Sequence, residues 1–106
     1  MTVGGRVTDL DTPALVVDLD ILESNITRMM GTFREHGIGW RPHTKAIKIP
    51  ALAHKLIVAG AHGVTVAKLS EAEVMAAAGI QDILITGPVV GFVHSVCGRH
   101  RSTSSA

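Results

Sequence analysis

A run of basic side chains at residues 41–48, Arg-Pro-His-Thr-Lys-Ala-Ile-Lys, is the part of this sequence best suited to chemistry. The run lies at the carboxyl end of a predicted β-strand over residues 38–44. In parallel α/β folds this end of a strand faces the ligand. Side chains alternate between the two faces of a strand, so Arg41, His43 and Lys45 are expected on one face. Such a cluster on a buried strand needs a negative partner, which predicts a phosphorylated ligand.

Lys45 has a specific chemical use in this position. An ammonium group that is desolvated or crowded by other cations loses its proton more readily, and the free amine can form a Schiff base with an aldehyde. Arg41, His43 and Lys48 are the available crowding groups. The alternative is an ordinary solvated lysine at the end of a strand.

Short β-branched runs alternate with helical patterns along the chain, which is typical of repeated βα units. Strands are predicted at residues 14–18, 38–44, 64–67 and 83–86. Predicted capping boxes pair Asp20 with Glu23 and Ser70 with Glu73, and the second of them precedes a helix over 72–78. Pro50 suits a first helical turn. Helix ends are predicted at glycines 37, 60 and 79.

These elements predict an α/β fold with parallel strands. A closed barrel of eight βα units needs about 250 residues, so a chain of 106 residues would supply only its first half. We therefore predict a partial (β/α)8 TIM-like barrel, with an open four-stranded sheet as the alternative.

Composition excludes several classes of protein. The hydrophobic share is 46%, the formal net charge is +1 and the aromatic share is 3%, which argues against a disordered chain and against a nucleic-acid binder. Cys97 is the only cysteine, so no internal disulfide forms. No signal peptide or membrane span is evident, which favours a cytoplasmic protein without a membrane partner.

The chain divides at residue 91. Residues 1–91 carry the βα pattern, and residues 92–106 form a polar segment that we expect to be a disordered tail. His94, Cys97 and His100 have ligand-like spacing there, but zinc normally needs four ligands, so chance is favoured and no metal site is predicted. Lys68 and Glu71 follow the third predicted strand. Two interpretations of these residues are open: they approach the ligand side of the sheet, or they form a charge pair at the start of a helix.

Five segments carry a resemblance to a known family. They are D-T-P-A-L-V-V-D-L-D at 11–20, E-S-N-I at 23–26, R-P-H-T-K at 41–45 with Lys48, A-G-A-H-G-V-T-V-A-K-L-S-E-A-E at 59–73, and D-I-L-I-T-G-P-V-V-G at 82–91. In this order and spacing the chain resembles the D-threonine aldolases, 3-hydroxy-D-aspartate aldolases and D-serine dehydratases. These are pyridoxal-phosphate enzymes of fold type III, which share the alanine-racemase barrel domain.

The resemblance implies that Lys45 carries pyridoxal 5'-phosphate, with His43 and Arg41 as further cofactor-binding residues. It also implies cleavage of a D-configured 3-hydroxy amino acid to glycine and an aldehyde, assisted by a divalent metal, in a homodimer. Ala46 and Ile47 replace the family's commoner Thr-His pair, which leaves the substrate class open.

The family's metal ligands and phosphate cradle lie in later parts of the barrel. We therefore expect this chain to be an amino-terminal fragment, truncated or read out of frame, that cannot complete the cleavage alone. The alternative function is a non-catalytic α/β binding module, or a fragment that only carries the cofactor.

Overall fold

The computed structural model describes residues 3–90 and the backbone of residues 103–104. Its helices are α1 (Leu19–Glu35), α2 (Pro50–Val58) and α3 (Leu69–Ala77), and a 3₁₀ turn lies at Val7–Asp9. Its strands are β1 (Val64–Val66), β2 (Ile83–Ile85) and β3 (Thr103–Ser104). None of the helices within the described residues is long and apolar enough to cross a lipid bilayer.

The strands form a parallel sheet in the order β1-β2-β3. His43 forms a parallel bridge with Thr65 on the free side of β1. The Thr65 N–H donates to the Pro42 carbonyl and the Thr44 N–H donates to the Thr65 carbonyl, at 2.8 and 2.9 Å. The segment around His43 is thus a short fourth partner of the sheet, and the prediction of parallel pairing is confirmed.

The main core lies on one face of this sheet. Val64, Val66, Ile83 and Ile85 are 0 to 2% exposed and pack with Ala53 of α2 and with residues of α3. A second cluster joins α1 to α2 through Ile26, Leu56 and Ala61, with Trp40 packed against it. The helices α2 and α3, which connect successive strands, therefore lie on the same side of the sheet.

The cap of α1 differs from the sequence prediction. Asp18, not Asp20, is the N-cap residue, and its carboxylate accepts a hydrogen bond from the Ile21 N–H at 3.1 Å. Asp18 has the extended backbone that a cap requires, whereas Asp20 is already helical, so the predicted Asp20–Glu23 capping box is wrong.

Two predicted strands are shorter or absent. Residues 14–18 have no strand pairing with any described residue, and Leu15 is 87% exposed there. A strand exists only with a hydrogen-bonded partner, which the β-branched composition of this segment cannot supply by itself. The predicted strand at 38–44 is reduced to the bridge at His43.

The third helix begins earlier than predicted. It starts at Leu69, after Lys68 as an N-cap without a side-chain hydrogen bond, and Ser70 lies inside the helix. The predicted Ser70–Glu73 capping box is therefore wrong, because Ser70 is already helical and Leu69, the first residue of the helix, packs against the core. The start of α2 at Pro50 is confirmed, and Gly37, Gly60 and Gly79 all follow helix ends with positive φ.

The predicted boundary at residue 91 coincides with the end of the continuous described segment. Residues 91–102 and 105–106 lie outside the described residues, as do His94, Cys97 and His100. The polar tail at 92–106 and the dismissal of a metal site there stay predictions.

Candidate functional site

The candidate site lies at the carboxyl edge of the sheet, directly after the bridge at His43. Thr44 is 3% exposed, and its hydroxyl lies 3.3 Å from the Thr65 carbonyl, to which it donates. The carbonyl of Thr44 accepts from the Ile47 and Lys48 N–H groups at 3.2 and 2.8 Å, which closes a single turn. Lys45 is the first residue of this turn, so a buried threonine fixes the start of the chain segment that carries it.

His43 and Lys45 are held together by the turn. The Lys45 N–H donates to Nδ1 of His43 at 3.1 Å, and both residues are exposed. An imidazole nitrogen that accepts carries no proton, so the neutral form of His43 presents an Nε2–H donor. The Nζ of Lys45 makes no hydrogen bond or ion pair with any residue between 3 and 90. Its amine is accessible to a ligand.

The register of the sheet shows which face carries His43. His43 pairs with Thr65, and Thr65 pairs with Leu84, so these three side chains form one row across the sheet. Paired residues in a parallel sheet point to the same side. The neighbouring positions Val64 and Val66 face the helices, so the row of His43 lies on the opposite face.

Arg41 lies on that same face but toward the other end of the strands. Its Nη1 donates to Oδ1 of Asp82 at 2.6 Å and to the Asp82 carbonyl at 3.4 Å. Asp82 immediately precedes β2, so Arg41 is held at the amino edge of the sheet, whereas Lys45 lies at the carboxyl edge. The structure thus brings His43 and Lys45 together and places Arg41 apart from them, with its charge paired.

Sequence reasoning missed Asp82 as the partner of Arg41. Counting two residues back from the row of His43, Thr65 and Leu84 gives Arg41, Gly63 and Asp82 in line. The register alone would have revealed this pair, but it depends on strand boundaries that the sequence does not fix to the residue.

A second feature borders the turn of Lys45. A cavity of about 270 Å³ lies between this turn and the first turn of α3, and it is lined by Thr44, Lys48, Ser70, Glu71, Val74 and Met75. Oε2 of Glu71 is buried and has no hydrogen-bond partner. Lys48 has a left-handed backbone, with φ of 55°. Within residues 3–90 no three His, Cys, Asp or Glu side chains cluster in a way that could hold a metal ion.

These features define a small α/β unit with parallel strands and an accessible lysine at their carboxyl edge. The chain is homologous to D-threonine aldolases and hydroxyaspartate enzymes. It is 43% identical over 88 residues to a D-threonine aldolase of Arthrobacter sp., covering 83% of this chain. It is 48% identical over 75 residues to a D-threo-3-hydroxyaspartate dehydratase of Delftia sp. strain HT23, covering 71%. No protein-family model matches the chain.

Solved structures agree with these relatives. The crystal structure of D-threonine aldolase from Filomicrobium marinum matches 80% of this chain with a TM-score of 0.77 and 47% identity. That of D-threo-3-hydroxyaspartate dehydratase from Delftia sp. HT23 matches 77% with a TM-score of 0.74 and 44% identity. The chain covers 20 to 23% of the length of these relatives and structures.

Proposed function

We propose that this chain contributes the first βα units of a pyridoxal-phosphate-dependent lyase of the D-threonine aldolase type. The substrate would be a D-configured 3-hydroxy amino acid, cleaved to glycine and an aldehyde. The observation that carries the proposal is the accessible amine of Lys45 at the carboxyl edge of parallel strands, in a chain with aldolase relatives. The cytoplasmic location and the homodimer expected from the sequence stay predictions.

The arrangement of the helices supports a partial barrel. In an open doubly wound sheet, helices cover both faces. In a (β/α)8 barrel they lie only outside, and catalytic residues lie at the carboxyl ends of the strands. Here α2 and α3 share one core on the face of Val64 and Val66, and the row of His43 lies on the other face. The lumen of the proposed barrel would then be on the side of His43.

Lys45 suits the covalent role. Its primary amine would hold the cofactor covalently through the cofactor's aldehyde carbon, with the aldehyde oxygen leaving as water. When bound, the cofactor supplies an electron sink for the carbon–carbon cleavage. The chain's own contribution is to present the amine on a turn that Thr44 anchors, next to His43, whose Nε2–H can donate to an anionic oxygen.

Arg41 has a different role in this proposal from the one implied by the family resemblance. Its guanidinium is paired with Asp82 at the amino edge of the sheet, so we assign it as a positioning residue that aligns the segment of His43 with β2. The phosphate cradle and the ligands of a divalent metal would come from polypeptide outside residues 3–90. One of the dehydratase structures is described as a metal-free form, which fits a metal site in that relative.

Reductive labelling tests the covalent role of Lys45. The purified chain is mixed with pyridoxal 5'-phosphate, reduced with borohydride and mapped by mass spectrometry. We expect modification concentrated at Lys45. The variant Lys45→Arg should lose the label, while Lys48→Arg, its matched control on the same turn, should keep it. Labelling spread evenly over Lys45, Lys48 and Lys68 would contradict the proposal.

A chimera tests the activity. The homologous segment of the Arthrobacter D-threonine aldolase is replaced by residues 1–90 of this chain, because the chain spans about a fifth of that relative. We expect cleavage of D-threonine by the chimera and its loss in Lys45→Ala. The 106 residues alone should show no cleavage. An active Lys45→Ala chimera would exclude Lys45 as the anchor.

The binding-module alternative is favoured by a different observation. Leu15, Val16, Val17 and Leu19 are 41 to 87% exposed, which leaves an apolar strip uncovered by the described residues. Such strips mark protein–protein contacts in monomeric folds. In the lyase proposal the rest of the barrel covers this strip. A chain that shows no selective labelling at Lys45 but binds a partner through this strip would favour the module.

A further inference from the structure

A cavity of about 290 Å³ lies at the amino edge of the sheet, next to the ends of α1 and α2. Its lining residues come from two segments, the end of α1 with the loop that follows it, and the loop between α2 and β1. The ionisable side chains among them are Arg34 and His62, and the large apolar ones are Met30, Ile38 and Trp40. No aspartate or glutamate lines this cavity among the described residues, so its charge is basic.

The two basic side chains have hydrogen-bond donors that no other residue uses. The guanidinium of Arg34 and the imidazole of His62 make no hydrogen bond or ion pair with any residue between 3 and 90. Arg41, which also lies at this edge of the sheet, is already paired with Asp82. A guanidinium has five N–H donors and no acceptor, and a neutral imidazole has one N–H donor. The cavity therefore suits a ligand with acceptor oxygens.

Two glycines allow these side chains to lie directly against the backbone. A Cβ atom built on Gly60 would lie 3.4 Å from Nη2 of Arg34 and 2.9 Å from Cε of Met30. A Cβ atom built on Gly39 would collide with the imidazole ring of His62. Contact with the backbone restricts the rotamers of both basic side chains. Less conformational entropy is then lost when a ligand orders them.

The two helix ends limit the charge of the ligand. The Ile38 N–H donates to the Phe33 carbonyl at 2.8 Å, and the Ala61 N–H donates to the Leu56 carbonyl at 3.0 Å. These bonds close the last turns of α1 and α2 with backbone groups alone, so the carbonyls do not require Arg34. The carboxyl end of a helix still carries partial negative charge, which disfavours a dianion. A ligand with a single negative charge is therefore preferred.

The donors and the apolar lining together define the ligand class. The planar guanidinium of Arg34 matches the two oxygens of a carboxylate in a bidentate pair. Met30 is 8% exposed and Trp40 is half-buried, and both line the cavity beside the basic groups. A short alkyl chain would remove this apolar surface from water, whereas an inorganic anion would not.

We propose that this cavity binds a small monocarboxylate, with Arg34 as the main donor, His62 as a second donor, and Met30 and Trp40 as the contact for a short alkyl chain. The site lies at the amino edge of the sheet, whereas Lys45 lies at the carboxyl edge. The inference therefore goes beyond the proposed lyase function and requires neither the cofactor nor the amine of Lys45.

The fluorescence of Trp40, the only tryptophan of the chain, tests the site. The 106-residue chain is titrated with sodium butyrate, and sodium chloride keeps the ionic strength constant. We expect a saturable change with a dissociation constant in the millimolar range. Arg34→Gln should weaken binding at least about fivefold. Arg28→Gln is the matched control, because Arg28 contacts Asn25 on the same helix and does not line the cavity, and it should change binding less than about twofold.

Further variants and ligands separate the contributions of charge, donor and alkyl chain. His62→Leu removes the second donor and should weaken butyrate binding about threefold. Butyramide, the uncharged analogue, and inorganic phosphate should each bind at least about fivefold more weakly than butyrate. Far-UV circular dichroism checks that each variant folds. If Arg34→Gln does not fold, Arg34→Lys replaces it, because a lysine keeps the charge but loses the bidentate geometry.

Four results would overturn the site. No saturable change with butyrate would show that the cavity does not bind a monocarboxylate. Equal weakening by Arg34→Gln and Arg28→Gln would show a general charge effect. Equal affinity for butyramide would show an apolar pocket without a role for the guanidinium, and tighter binding of phosphate would exclude the monocarboxylate class. None of these measurements uses pyridoxal phosphate, so this proposal and the lyase proposal can fail independently.

Discussion

Arg41 reaches Asp82 across Gly63, which lies between them in the sheet. The Nη1–Oδ1 distance is 2.6 Å, and a Cβ atom built on Gly63 would lie 2.6 Å from the same Nη1. The missing side chain of Gly63 therefore opens the path by which the guanidinium crosses β1. This contact joins the segment before His43 to the start of β2, and so fixes the strand that leads to Lys45.

The Arg41–Asp82 pair should make a measurable but small contribution to stability. The side chains are 29% and 51% exposed, so solvent screens the interaction. A double-mutant cycle with Arg41→Met and Asp82→Asn should give a coupling free energy of about 0.5–1 kcal/mol. The measurement is urea unfolding of the four proteins, repeated at high salt, where the coupling should fall. Zero coupling at low salt would show that the contact does not hold the segment.

Gly63→Ala should destabilise the chain more than loss of the ion pair does. The added Cβ would collide with the backbone carbonyl of Asp82, the residue that immediately precedes β2. Overpacking of this kind costs about 1–3 kcal/mol, read from the shift of the urea midpoint. Gly31→Ala is the control, because nothing lies within 4 Å of its added Cβ, and it should be neutral or stabilising. A neutral Gly63→Ala would contradict the close packing of β1 on β2.

The cap of α1 gives a direct test of the helix boundary. Asp18→Ala removes the acceptor for the Ile21 N–H and should lower the free energy of unfolding by about 1 kcal/mol. Asp20→Ala, two residues later in the first turn, removes a charge but no cap and should cost less than half of that. Both are measured by urea unfolding. A larger loss for Asp20→Ala than for Asp18→Ala would place the boundary where the sequence suggested it.

The sequence predicts those elements whose signal is local. Pro50 starts α2 because its fixed φ and missing N–H suit a first turn. The strands β1 and β2 coincide with short apolar runs of the sequence. Two aspartates two residues apart, Asp18 and Asp20, carry the same capping chemistry. Only the backbone angles of the folded chain decide between them.

The sequence predictions that were wrong or incomplete concern features that depend on residues distant in the chain. Residues 14–18 have strand composition, yet a strand requires a neighbour, and none of the described residues pairs with them. The candidate site likewise has one feature that the sequence predicts and one that it does not. Lys45 at the carboxyl edge follows from the order of βα units, whereas the pairing of Arg41 with Asp82 requires the register between segments 41 residues apart.

Packing of α3 on the sheet adds to the hydrogen bonds between β1 and β2, and Met75 is the largest buried side chain of α3, at 1% exposure. Met75→Ala removes apolar contact and leaves a cavity next to Ile83 and Ile85, so the free energy of unfolding should fall by about 2–5 kcal/mol. Val74→Ala is the matched control from the neighbouring residue, which is 53% exposed, and it should change stability by less than about 0.5 kcal/mol. Both are compared by urea unfolding with far-UV circular dichroism. A similar small effect for the two variants would mean that α3 does not pack on the sheet through this side chain, and the turn of Lys45 would then lose its support from the core.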